Sequence, residues 1–458
     1  MITLRLWCMV LAPCIPLFAI AQYWAPADLP VVVDGQLSQF YSDEEEGLFC
    51  ICGRTEVPEG SQSEWRNGLV CNIGGVWDTL GVFDGAVTCA VQYGDTLFVA
   101  GHFDGVDGEP MGRILGYTGG TWASFSEPEN MGAFNLKKIN GELFRLSAAG
   151  TLHGQPTTGV SVRQGGQWVP IGNLPSPDTP NGAHWLFDII EYNGQLVVTG
   201  SINATTGYDV FILEGEDWVP LGGGLVGWNS FGYRLAVYQD DLYVGGSMSM
   251  AAGDVGQNII RWDGNQWHPL GSGVQVAPNN FGTAGSVRDM VVHNGELWVC
   301  GGFRYAGGVP AQMIARWNGS QWCSVGDGPS DTMFAMGIFQ DTLYVNFLGN
   351  INGDVMGHVA KFVAPEYENN CGLWTDVEER QGQDVELRAW LQYGAVVLEG
   401  LPVGVYDVRI MDATGRMVHQ EGVVSDGGRT YLTGTYVNEG IYLVSIPQLR
   451  ALSKLHIP

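Results

Sequence analysis

The sequence predicts an all-β chain: a seven-bladed β-propeller whose last blade is closed by the N-terminal strand, followed by a small C-terminal β-sandwich. Three observations carry that reading. The motif x-Gly-x-x-Trp recurs six times, ending at Trp77, Trp122, Trp168, Trp218, Trp267 and Trp322, with spacings of 45, 46, 50, 49 and 55 residues. A period of that length suits a four-stranded blade rather than a helical solenoid. Apolar-alternating runs follow tight-turn pairs and end in glycine, as at 94–101, 193–200 and 294–302, and pairs such as Asn-Gly supply the positive φ that two-residue hairpins need. Finally, no segment keeps helical periodicity beyond a turn or two.

Taken in order, residues 1–21 read as a secretory signal peptide. Arg5 precedes an apolar run from Leu6 to Ile20, and the small-residue site Ala19-Ile20-Ala21 places cleavage between Ala21 and Gln22. Leu11-Ala12-Pro13-Cys14 offers a competing lipoprotein reading, opposed by the proline before the cysteine. No other stretch reaches the roughly twenty apolar residues of a membrane helix, so no membrane span is expected.

Residues 22–364 form the propeller. Within a unit, a third strand such as Ile259-Ile260-Arg261-Trp262 turns at Asp263-Gly264 into a fourth that contains Trp267. The seventh unit, Met333 to Val363, supplies three strands, the third starting at His358, and no glycine–tryptophan turn follows. Tyr23-Trp24-Ala25-Pro26 matches the fourth-strand entries Trp168-Val169-Pro170 and Trp218-Val219-Pro220. The N-terminal strand therefore completes the seventh blade, and closure removes exposed sheet edges. Residues 365–372 are a polar linker, and from 373 to 458 the repeat is absent.

Composition narrows the function classes. Charged residues make up 15% of the chain, against about 25% in an ordinary domain, and the net charge is −27. Such a surface repels nucleic acid and anionic membrane, so neither is an expected partner. Of nine cysteines, seven remain once Cys8 and Cys14 leave with the signal. Cys50 and Cys52 fall on the second strand of the first unit and Cys71 on its third, which makes Cys50–Cys71 the candidate disulfide; the other four, Cys89, Cys300, Cys323 and Cys371, are scattered.

Signals of catalysis are thin, and no cofactor is expected. His102, His153, His184, His268, His293 and His358 show no paired spacing, and Cys50-x-Cys52 has no second pair at zinc-site distance. Asp104, Asp107 and Glu109 lie in a glycine-rich loop without the ligand series of a calcium loop. Asp43-Glu44-Glu45-Glu46 reads as a charged hairpin tip. Trp185 and Trp228 stand outside the repeated tryptophan set, as candidate contacts for a sugar ring or a protein partner; packing between blades is the plainer use.

Two resemblances follow from particular residues. Gly245-Gly246-Ser247 through Ala251-Ala252-Gly253 to Trp262-Asp263-Gly264, and Gly301-Gly302-Phe303 through Ala306-Gly307-Gly308 to Trp317-Asn318-Gly319, resemble the kelch-type repeats of bacterial propellers. Kelch-like propellers serve as interaction platforms and as enzyme scaffolds, so this resemblance implies a fold and leaves function open. Near the C-terminus, the turn Asp412-Ala413-Thr414-Gly415-Arg416, the strand Gly440-Ile441-Tyr442 and the basic end at Lys454 resemble the sorting domain of the type IX secretion system of Bacteroidetes. The Tyr-Pro-Asn-Pro opening of that family is absent and the end is weakly basic; the alternative is an Ig-like accessory domain. The resemblance implies export by the type IX machinery, with release or attachment at the cell surface. Together these readings predict a secreted or surface-attached, non-catalytic binding or adhesion module for a glycan or a protein. The alternative is an extracellular polysaccharide-processing enzyme acting at the propeller channel.

Overall fold

The computed structural model describes residues 23–27, 29, 32–59, 62–125, 133–152, 155–177, 183–204, 207–225, 231–248, 257–276, 285–326, 328–351, 353–364, 371, 387–392, 395–412, 417–432, 440–446 and 451–457. The described chain is all-β and almost wholly antiparallel, and it divides between Trp374 and Thr375 into two compact units.

The first unit contains seven antiparallel groups of four strands. Their first strands are Val32–Asp43, Ala86–Tyr93, Asn135–Ile139, Ala183–Tyr192, Phe231–Tyr238, Ser286–His293 and Met333–Phe339. The seventh group takes its fourth strand from the N-terminus: Trp24–Pro26 pairs with Val359–Phe362, Trp24 opposite Phe362. Trp24 is fully buried there, edge-on to the Phe362 ring at 5.3 Å. The third strand of this group begins at Val359 rather than His358, which sits in the short 3-10 turn Met356–His358.

Seven buried apolar clusters lie between successive groups. One joins the first and second through Leu69, Phe83, Val87 and Leu115. The last joins the seventh back to the first, through Phe339, Val359, Phe40 and Phe49. The five others fill the intervening boundaries.

The tryptophan of the repeated motif serves the same boundaries. Trp122 Nε1 donates to Leu80 O at 3.2 Å, Trp168 to Phe125 O at 3.2 Å, Trp218 to Ile171 O at 3.0 Å and Trp322 to Leu270 O at 2.8 Å. Each acceptor lies in or just after the fourth strand of the preceding group. The indole thus pairs a carbonyl that the fourth strand leaves unpaired, at a register shift for Leu80 and just past the strand end for the other three, while its rings fill the boundary. The preceding turn requires glycine: in Gly119-Gly120 both residues have positive φ, 56° and 86°.

A second regularity lies in the first strands. Six of the seven shift register by one residue, skipping Ser38, Thr88, Phe187, Tyr233, Arg288 and Phe334. In the third group, Phe134 N bonds Leu146 O, although Leu146 already stands opposite Asn135. Such a bulge sets two residues against one and re-aims the first. In four groups a glycine of the second strand, Gly101, Gly200, Gly246 or Gly301, makes room for it. A Cβ at Gly200 would overlap the carbonyl of Trp185, and one at Gly246 that of Phe231.

The first unit holds two disulfides. Cys50–Cys71 links neighbouring strands of the first group, and Cys323–Cys371 ties the exposed Cys371 to the fourth strand of the sixth. In the second unit, Arg388–Gln392, Ala395–Glu399 and Thr430–Tyr431 form one sheet. Met417–Ser425, Gly404–Asp412, Gly440–Ile446 and Ala451–Ile457 form another. Val396 and Leu398 of the first sheet share one buried cluster with Val408, Ile410, Val444 and Leu455 of the second.

Candidate ligand site

The bulges build two cavities at the centre of the first unit, each lined by residues from all seven groups. One, of about 430 Å³, is lined by charged and apolar side chains, among them Lys137, Asp188, Arg234 and Asp289. The other, of about 280 Å³, is lined by Phe134, Phe187, Tyr233, Arg288 and Phe334, with Thr88 completing the circle. Those six are the bulge residues of the second to seventh groups, and Leu37 and Gln39 flank the bulge of the first. Gln39, Asn135 and Arg234 line both cavities, so the two meet at them.

In the charged cavity every carboxylate oxygen has partners. Asp188 Oδ1 accepts from Lys137 Nζ at 2.7 Å and Ile189 N at 2.9 Å, while Oδ2 accepts from Leu235 N at 2.9 Å. Asp289 repeats the arrangement two groups further on: Oδ1 accepts from Arg234 Nε and Met290 N, both at 3.0 Å, and Oδ2 from Met336 N at 3.0 Å. Each aspartate therefore binds its own group to both neighbours. Burial works against the Arg234 charge, but Asp289 and Asp188 more than offset it, so its pKa lies above the ordinary arginine value. Burial also pushes the Tyr41 phenol up to about 12; its oxygen accepts from Gln92 N at 2.9 Å and it donates to Asp43 at 3.3 Å.

The aromatic cavity is different. Its rings continue outward as an arc: Trp185 to Phe134 at 5.0 Å, Phe134 to Phe187 at 6.2 Å and Phe187 to Tyr233 at 5.7 Å between centroids. The His102 ring lies 5.6 Å from Phe134 at one end, and the Arg288 guanidinium lies 4.6 Å over Tyr233 at the other. The rings lining the cavity are half-buried, and Trp185 is 37% exposed. Three polar atoms here have no hydrogen-bond partner among the described residues: Gln39 Oε1, Asn135 Oδ1 and Arg288 Nε. Asn135 is only 6% exposed, and its Nδ2 donates to Phe187 O at 3.0 Å.

Of the residues singled out in the sequence, Trp185 stands on this arc. Trp228, Ala21, Gln22, Gly415 and Arg416 lie outside the described residues. In the second unit Asp412 stands opposite Tyr442, Leu443 opposite Lys454 and Gly440 opposite Ile457, so three neighbouring strands carry those positions. The acidic loop of the second group is engaged in its own fold: Asp104 pairs with Arg113 at 3.0 Å and Asp107 accepts from Val82 N at 2.9 Å. No cluster of His, Cys, Asp and Glu able to hold a metal occurs among the described residues. The aromatic cavity itself was not foreseen. Its residues come from seven separate segments, and the sequence sign of the bulges is confined to glycines of the second strands such as Gly101, Gly200, Gly246 and Gly301.

No protein-family model matches the chain, and none of the curated proteins compared with it matches. Among solved structures, it is similar to the extracellular domain of a putative one component system from B. thetaiotaomicron, with 13% identity and a TM-score of 0.43. It covers 96% of this chain and 58% of that one. Raptor from Chaetomium thermophilum follows at 11% identity and TM-score 0.43, over 76% of this chain and 29% of that one. An acylaminoacyl peptidase from Pyrococcus horikoshii has 11% identity and TM-score 0.39, over 68% and 49%. This chain thus spans less than two thirds of each of these structures.

Proposed function

We propose that the first unit is a seven-bladed, kelch-like propeller that binds a ligand, a glycan or a protein surface, at the aromatic end of its channel without chemical turnover. The observation that carries this reading is the division of the channel residues. The carboxylates that a hydrolase would use are committed to Lys137, Arg234 and neighbouring backbone N–H groups, whereas the rings of the arc are only half-buried and Trp185 is exposed. Aromatic faces beside a few polar groups suit carbohydrate or protein recognition. The free thiols favour the same reading: Cys52, Cys89 and Cys300 are buried, and burial raises their pKa, that of Cys89 to about 12. It is the thiolate that acts as nucleophile.

The seven-blade reading rests on the seven boundary clusters, the last of which returns to the first group. The second unit, with two sheets around one core, is a small β-sandwich and serves as the type IX sorting domain; residues 1–21 direct the chain across the inner membrane. The protein is then secreted or held at the cell surface, and its partners are the type IX machinery and the ligand of the channel.

A glycan and polysaccharide array probed with the full chain, read for retention and for released product, tests the binding reading. Retention without product is expected. Release of shortened saccharide would instead establish the polysaccharide-processing alternative. Deletion of residues 373–458 in a host with type IX secretion is expected to leave the protein in the periplasm; undiminished export would remove the sorting assignment.

A further inference from the structure

The aromatic cavity carries a charge pattern opposite to that of the chain. The whole sequence has 21 basic and 48 acidic residues, a net −27. The 280 Å³ cavity is lined by two arginines, Arg234 and Arg288, and by no carboxylate. Only one of the two is neutralised: Arg234 pairs with Asp289, while Arg288 has no ion pair among the described residues and its Nε is buried without an acceptor. A buried charged donor with no partner carries a desolvation penalty that a bound anion would relieve. Beside it are two orphan acceptors, Gln39 Oε1 and Asn135 Oδ1, which call for hydroxyl or amide donors.

We infer that the cavity takes a carboxylated sugar, a hexuronate residue of an acidic polysaccharide. The sugar's carboxylate accepts from Arg288, its hydroxyls donate to Asn135 and Gln39, and its apolar ring face lies against Phe187 and Tyr233. Each demand of the site is met by one feature of that ligand. A neutral sugar leaves Arg288 unpaired, and a simple anion leaves both the orphan acceptors and the aromatic faces unused. The volume, just under the ~300 Å³ at which pockets for drug-sized ligands begin, fits one sugar ring. The neighbouring residues of a saccharide chain then run outward along the arc, over Phe134 towards Trp185. Arginine serves the role better than lysine, because its planar fork matches a carboxylate and stacks on an aromatic ring. Arg288 already stacks on Tyr233.

This inference rests on the binding reading above, and calorimetry on the full chain separates the two. The probes are tetragalacturonic acid and its fully methyl-esterified form, which keeps the rings and hydroxyls and removes the charge. The acid is expected to bind at least tenfold more tightly than the ester. In Arg288→Gln that gap should close; Arg288→Lys should retain part of it. Phe187→Ala should weaken acid and ester alike. Equal affinity for acid and ester in the unmodified chain overturns the inference and leaves the binding reading intact, and this arm needs no variant to fold. A gap that persists in folded Arg288→Gln also overturns it. If neither probe binds and the array retains no saccharide, the glycan form of the binding reading falls as well.

Discussion

The two cavities of the first unit are built from adjacent residues of the same strands, yet they treat polar groups in opposite ways. Phe187 and Asp188, Tyr233 and Arg234, Arg288 and Asp289 are consecutive pairs, the first member at the bulge and the second just after it. Arg234 meets Asp289, both aspartates accept from the backbone of the next group, and every oxygen of the two carboxylates is engaged. The first members face the aromatic cavity, where Arg288 Nε, Gln39 Oε1 and Asn135 Oδ1 lack partners among the described residues. The lesson is that a polar group near a channel is not by itself a sign of function. A satisfied network holds neighbouring sheets together, and it is the unsatisfied one, in the ring-lined cavity, on which the proposed ligand site rests.

The largest effect expected from this contrast is on stability. Asp188→Ala removes the partner of the half-buried Lys137 and of two backbone N–H groups, and breaking a buried pair costs about 3–5 kcal/mol. Denaturant unfolding should show that loss; a change below about 1 kcal/mol would mean that the charged cavity is not structural. Gln39→Met probes the other side. Its buried oxygen has no partner among the described residues, and replacing an unsatisfied polar group by an apolar one of similar shape is nearly neutral. Stability should stay within about 1 kcal/mol of the parent while saccharide retention falls.

How much of this was legible in the sequence follows from the physics of each feature. The boundary tryptophans were legible because one covalently local motif, the glycine turn plus Trp122 or Trp218, performs the whole function of turning and latching. The N-terminal closing strand was legible because Trp24-Ala25-Pro26 repeats the fourth-strand pattern. Cys50 and Cys71, on adjacent strands of one group, form a disulfide, whereas Cys323–Cys371 spans 48 residues, and no local pattern announces it. The bulges were half-visible: Gly101, Gly200 and Gly301 could be read as strand ends, but the close backbone approach they permit depends on register. The aromatic cavity was invisible, because Thr88, Phe134, Phe187, Tyr233, Arg288 and Phe334 share no sequence motif, only a place in a register shift.

Smaller effects sharpen the comparison. Trp185→Ala, at the rim of the arc, should leave stability within about 0.5 kcal/mol, as for most exposed positions, and reduce saccharide retention severalfold. Unchanged retention would confine the site to the cavity. The smallest effect concerns a charge far from the channel. Asp263 accepts from Gln266 N, His268 and Asn265 N, and these bonds lower its pKa to about 2. A depressed carboxylate stabilises the fold above its unfolded value of about 4 and loses that contribution as pH falls through 2. Carbon-detected NMR should find Asp263 ionised at pH 3, with saccharide binding indifferent to its titration.

The most direct test compares two neighbours on one strand, Phe187→Ser and Asp188→Asn, each measured for thermal midpoint and for saccharide retention by the folded protein. Phe187→Ser should abolish retention and leave the midpoint within a degree or two. Asp188→Asn should lower the midpoint by several degrees and leave retention by the folded fraction intact. If the two variants exchange these signatures, or move both quantities equally, the division between a structural and a ligand-binding end of the channel is wrong.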